Sequence, residues 1–202
     1  MDNRIADPMV QQREVIQRML AEINTVIPGV INDFFPATQT VSATPAVQKK
    51  VILDGEAHYL TAPLITDIPL LFPFASVAGF ALTIPVKRGD PCLLVFSQRA
   101  IDFWHLNGGI QPPEQGVGCR THSLTDAFAI LAPSPLPQVL GAWETEGIEL
   151  RNRAKGSRVT VRDSEVEIVC GQCSYKAEAS GTLTISAPTV IINTSSFDIN
   201  KV

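Results

Sequence analysis

Aromatic side chains make up only 6% of the 202 residues, and charged ones only 18%. Neither sign of charge dominates: 16 Lys and Arg stand against 20 Asp and Glu, for a net charge of −4 and a pI near 5.4. That balance argues against a nucleic-acid surface as the main feature, because phosphate contacts need clustered Lys and Arg. No apolar run reaches the roughly 18 residues of a membrane-spanning helix. The N-terminus opens on charged and polar residues with no apolar signal-peptide segment, so synthesis in a reducing cytoplasm is expected. Four cysteines do not make a disulfide scaffold in a chain of this length. What is plentiful is 15 Pro, 13 Gly and a 45% hydrophobic fraction. This is a globular, turn-rich composition with room for one medium domain or two small ones.

The stretch from Gly79 to Gly109 organises the reading. Phe80, Leu82, Ile84 and Val86 alternate with smaller or polar residues, the pattern of a half-buried strand. Lys87-Arg88-Gly89-Asp90 reads as the turn, and Pro91 pins the entry to the next strand. Cys92-Leu93-Leu94-Val95-Phe96 is apolar throughout, which predicts a central strand buried on both faces.

Before it, Asp7-Pro8 is an N-cap followed by Pro at the first helical position. Val15, Ile16, Met19, Leu20, Ile23, Val26 and Ile27 then fall at helical spacing until Pro28-Gly29. Residues 1–29 are therefore predicted as an N-terminal helix, either packed on the next domain or docking a partner. Residues 30–134 read as an all-β domain. Lys49 to Leu53 begins a strand, Asp54-Gly55 is a turn signal, and prolines 63, 69 and 73 suggest edge strands or irregular extended chain. Ala127 to Leu131 is a closing strand. Five or six short strands in this length suit a small barrel.

Three alternating prolines, in Ala132-Pro133-Ser134-Pro135-Leu136-Pro137, make the clearest boundary, and residues 135–146 are read as a stiff linker. Residues 147–202 carry short alternating segments: Ile148/Leu150, Val159/Val161, Val166/Ile168/Cys170, Leu183/Ile185, Val190/Ile192 and Phe197/Ile199. The last three repeat at a spacing of seven. Leu183, Ile185, Val190, Ile192, Phe197 and Ile199 are the candidate core of this part. Too few second-layer residues accompany these strands to bury them within one chain, which favours several identical chains wound together.

The barrel region resembles the N-terminal OB-type domain of the central spike (baseplate assembly protein V) of contractile-tailed phages, in the branch of membrane-piercing spikes without a lysozyme domain. The residues that carry the resemblance are Pro63 to Pro69 with Phe72-Pro73, Gly79-Phe80, Leu82 to Val86, Gly89-Asp90, Cys92 to Phe96, Arg99, Ile101-Asp102, Trp104, Gly108 and Arg120 to Ala127. The resemblance implies a mainly β architecture of N-terminal helix, OB-fold barrel and intertwined trimeric β-helix needle. It also implies a homotrimer in the virion's tail baseplate, assembled in the host cytoplasm. A hub protein would meet the N-terminal side, and the needle would face a target outer membrane. Related spikes serve pyocin-like particles and type VI secretion systems. Several family members end in an iron held by a His-x-His pair from each chain. Here the last histidine is His122, so no metal at the tip is expected, and a separate tip protein is.

The remaining constellations point to structure more than chemistry. Arg120, His122 and Asp126 with Asp102 can be drawn as a hydrolytic site, but no nucleophile elbow, phosphate cradle or paired carboxylate accompanies them. Cys170 and Cys173 have CxxC spacing without a second pair or a nearby His. Cys170 continues the parity of Val166 and Ile168, which fits a small buried side chain, and a threefold metal site or cross-chain disulfide is the alternative. His58 and His105 are isolated. No catalytic residue, cofactor or nucleic-acid partner is expected. Two classes of function remain: a non-enzymatic trimeric spike, and an OB-fold ligand or nucleic-acid binding module with a β-solenoid appendage.

Overall fold

The computed structural model describes residues 8–112, 120–131, 133–194 and 196. Its contacts divide the chain into two compact units, Met1–Pro135 and Leu136–Val202.

The first unit begins with helix α1, Pro8–Ala21, whose described side chains are all exposed. The helix stops well short of Pro28-Gly29. The apolar residues Val26 and Ile27, which extend the helical spacing in sequence, instead open strand β1, Val26–Phe35. Two forces override the helical pattern: the β-branched run Thr25-Val26-Ile27 prefers extended backbone, and a ladder with the chain around Leu94 rewards it.

The strands that follow are β2 (Thr40–Pro45), β3 (Lys49–Leu53), β4 (Glu56–Leu60), β5 (Ile65–Leu71), β6 (Phe74–Ala75), β7 (Phe80–Ala81) and β8 (Pro91–Phe96). Helix α2 (Asp102–Asn107) and strand β9 (Ala127–Leu131) complete the unit. A closed barrel forms in the order β1-β2-β5-β9-β8. Counting barrel strands alone, the order is 1-2-3-5-4 and back to 1. The third and fifth strands pair in parallel and every other pair is antiparallel. This is the connectivity of an OB-type barrel.

The interior alternates large and small side chains, as a narrow barrel requires. Ile31, Val41, Ile68, Leu94 and Phe96 fill it, and Ala43, Cys92, Ala127 and Ala129 make room. Gly29 belongs to this fit: a Cβ there would lie 2.9 Å from Leu94 Cδ1 and 3.1 Å from Cys92 Sγ.

The organising stretch departs from expectation in two ways. Only Phe80–Ala81 is a strand, and it pairs with Phe74–Ala75 and not with β8. Residues 82–86 form no strand, since Pro85 can donate no ladder hydrogen bond. Strand β8 is central, but its burial alternates: Cys92, Leu94 and Phe96 face the interior while Leu93 and Val95 are half-buried. The turn itself is as read. Asp90 N–H donates to Lys87 O at 3.1 Å, Lys87 N–H donates to the Asp90 carboxylate at 2.7 Å, and Gly89 has φ +92°. Gly89 N–H and Asp90 O then dock on the backbone of Ile31 at 2.8 and 3.0 Å.

The segment read as edge strands holds a full barrel strand, β5, with Pro69 inside it. The Asp54-Gly55 turn is confirmed, both residues having positive φ as a type I′ hairpin demands. Its strands β3 and β4 form a separate two-stranded sheet.

The second unit is a five-stranded antiparallel meander: β10 (Gly147–Arg151), β11 (Ser157–Arg162), β12 (Glu165–Cys170), β13 (Cys173–Glu178) and β14 (Leu183–Ser186). Each strand pairs with the next in the same chain. The ladder from 147 to 186 is thus made within one chain. Residues 187–194 form no strand, so the spacing of seven is not expressed as further rungs there. Phe197 and Ile199 lie outside the described residues.

Candidate functional site

Period-2 alternation sorts the meander's side chains onto two faces of opposite character. On one face, direct cross-strand partners build two apolar rows that traverse all five strands. One row is Ile148, Val161, Val166, Ala177 and Leu183; the other is Leu150, Val159, Ile168, Tyr175 and Ile185. Among the described residues, nothing covers them: Ile148 is 79% exposed, Leu183 57%, Ile185 58%, and even Ile168 on the middle strand 44%.

The other face is a lattice of ion pairs around Thr160, which is fully buried. Arg158 meets Glu167 at 2.9 Å, Lys176 meets both Glu165 and Glu178 at 2.8 Å, and Arg151 meets Glu149 at 2.9 Å. Arg162 bridges Glu165 and Glu144. Hydrogen bonds from Lys176 and then Arg162 hold the Glu165 carboxyl below the ordinary carboxylate range. Arg162 and the Glu146 N–H do the same for Glu144. Residues 136–146 are strapped to this sheet by arginines. Arg151 donates to Gly141 O, and Arg153 donates to Val139 O at 3.0 Å and Gln138 O at 3.3 Å. The stretch read as a stiff connector thus includes a 3-10 turn, Leu136–Gln138, and a held strap.

Of the candidate core residues, Leu183 and Ile185 share the apolar face on β14, whereas Val190 and Ile192 are exposed and lie on no strand. Tyr175 and Ala177, and with them the full rows, do not stand out from the alternation of the sequence alone. The signal was there: the two-residue turns Asp163-Ser164 and Gly171-Gln172 between alternating runs are hairpin marks.

The polar cluster of the barrel is a brace. Asp126, fully buried, accepts from Arg120 Nε at 3.2 Å and Nη2 at 3.1 Å, and from the Ile101 N–H at 3.1 Å. Arg120 also reaches Asp102. Trp104 sets its ring edge against Phe128 at 5.6 Å, so α2 is held to β9 by both a charge and a ring. His122 does not join Arg120. Its Nδ1 lies 3.0 Å from Asn24 O, and Asn24 Nδ2 donates back to His122 O at 2.8 Å. These four residues tie chain segments together and leave no free nucleophile and base side by side.

The barrel strands run from residue 26 to 131, and a family model described as "Phage protein Gp138 N-terminal domain" matches residues 27–132. The chain belongs to this family. The matched span coincides with the Gp138 N-terminal barrel and leaves the meander outside it. No curated protein matches the chain. Among the described residues, no three His, Cys, Asp or Glu side chains gather in a way that could hold a metal ion.

Proposed function

We propose that this phage protein is the central spike of a contractile injection machine, seated in the tail baseplate and driven through the target outer membrane. The observation that carries the proposal is the pair of uncovered apolar rows on the meander. An antiparallel sheet tolerates water on one face, but here the face against the chain's own strap is the charged one and the apolar face is left bare. Covering a half-exposed Val, Ile or Leu is worth on the order of 1 kcal/mol, so these rows together favour association strongly. Two copies face to face would bury the rows but leave β10 and β14 as open edges. Three copies about an axis bury the rows in a common core and bring each β14 beside the next copy's β10, leaving no edge.

The resulting homotrimer is a stiff prism, and its work is mechanical and not enzymatic: it resists bending because deforming one chain disturbs a core shared by all three. The family membership supports a virion setting. In the proposed assembly the barrels form a collar, with a hub protein on the N-terminal side and a separate tip protein at the other end. No cofactor and no nucleic-acid partner enters this reading.

Sedimentation and native mass of the purified protein test it. The expected result is a trimer at micromolar concentration, and dissociation on Ile168→Asp, which places carboxylates in the shared core at several kcal/mol each. A folded monomer or dimer of the unaltered chain, or an Ile168→Asp trimer of unchanged melting temperature, overturns it. Antibody labelling of tail particles then distinguishes the baseplate axis from any other location.

A further inference from the structure

Beyond the two apolar rows, the same face of the meander carries a third row of different chemistry. Ser157, Cys170 and Cys173 are successive cross-strand partners on β11, β12 and β13. Gly171, at φ +59°, and Gln172 make the turn between the two cysteines. Directly opposed residues on adjacent antiparallel strands hold their Cα atoms about 4.5–5.5 Å apart with both side chains on one face. The two thiols are thus placed side by side by a short hairpin, with Ser157 Oγ 3.7 Å from Cys170 Sγ. Both cysteines are exposed in the single chain, unlike Cys92, which is wholly buried in the barrel and whose thiol burial pushes up to about 11. Cys92 is a packing residue, whereas the paired thiols are oriented but not packed.

We propose that Cys170 and Cys173 form half of a thiolate site for a zinc-class divalent ion, completed by the same pair from another copy of this chain. One chain supplies two sulfurs, and a closed thiolate site for such an ion takes four at about 2.3 Å. The inference rests on the trimer reading, which turns this face of every copy toward one axis. Symmetry then brings the three hairpins to one level, at the end of the apolar core. Binding is ligand exchange without redox: each ligating thiol gives up its proton to solvent as the sulfur–metal bond forms, so uptake of one ion by four thiols releases four protons and weakens as pH falls. Three dithiols offer six sulfurs, enough for one four-coordinate ion but not two. The stoichiometry is therefore one ion for three chains.

The test uses the full-length protein, reduced and stripped with chelator, then titrated with Co2+ and Zn2+ as probes. Native mass reports ions per assembly, and absorption reports thiolate-to-cobalt charge transfer. The expected result is one ion per trimer with a thiolate band, both lost in Cys170→Ser and in Cys173→Ser and retained when the chain's fourth cysteine, Cys119, outside the described residues, is changed in Cys119→Ser. A trimer that takes up no ion, or one whose uptake survives both serine variants, overturns the metal site and leaves the trimer reading intact. A metal-free monomer overturns that reading and the shared site together. One ion for each chain, in any assembly, overturns the sharing.

Discussion

Gly29 shows how tightly the barrel sequence is set by its interior. The backbone at this position has an ordinary conformation; what forbids a side chain is the tip of Leu94, 2.9 Å from where a Cβ would be. Leu94 has no room to retreat, being wholly buried and facing Ala129 across the β8–β9 pair. Gly29→Ala should therefore destabilise the barrel by about 1–3 kcal/mol, the usual cost of overpacking. Combining it with Leu94→Val should cost less than the sum of the two single changes, since each relieves the other. Denaturant unfolding of the four proteins measures this, and strict additivity would refute the account. In sequence, Gly29 looked like the terminator of a helix. Its packing role depends on a residue far along the chain and has no local signature.

At the level of elements, what was legible was whatever local chemistry decides. Lys49–Leu53, its Asp54-Gly55 turn and Ala127–Leu131 occur as read, because turn residues and alternation fix them. Strand partners were not legible. Phe80 to Val86 looked like the natural hairpin mate of β8, yet β8 pairs with β1 and β9, far away in sequence. The same holds for the candidate assembly face. The parity of Leu183 and Ile185 was readable, while the hairpin pairing that extends the rows back to Ile148 was obscured by the spacing of seven. The opposite, charged face makes its own prediction. Glu165 and Glu144 have carboxyls held below the unfolded value of about 4.3. Their contribution to stability is therefore present above that value and is lost as pH falls through the depressed folded value. The meander's melting temperature should drop on acidification below about pH 4.3, and the drop should shrink in Glu165→Gln. An unchanged acid profile in that variant would show that the lattice contributes nothing measurable.

For the whole molecule, two compact units, of which only the first holds a hydrophobic core, imply two unfolding events. The barrel is closed on itself and should melt at a temperature independent of protein concentration, whereas the meander, if its copies associate as proposed, should melt higher as concentration rises. Calorimetry at two concentrations at least tenfold apart checks this, and a single concentration-independent transition would contradict it. That the barrel is a phage protein domain was legible because its motifs lie within the chain that forms it. The meander's role was only half legible because the proposed cover of its bare face lies outside the chain. One property of the meander follows from its count alone. Five is odd, so β10 and β14 point the same way, and the chain enters at Gly147 and departs at Ser186 across the diagonal of the sheet. An even count would have returned it to the level of entry. Here every pass but one cancels: through the cross-strand register Ser186 lies level with Arg151, four residues past Gly147, so the surviving pass is a net advance of about 13 Å, and the sheet is a step, carrying whatever follows Ser186 onward.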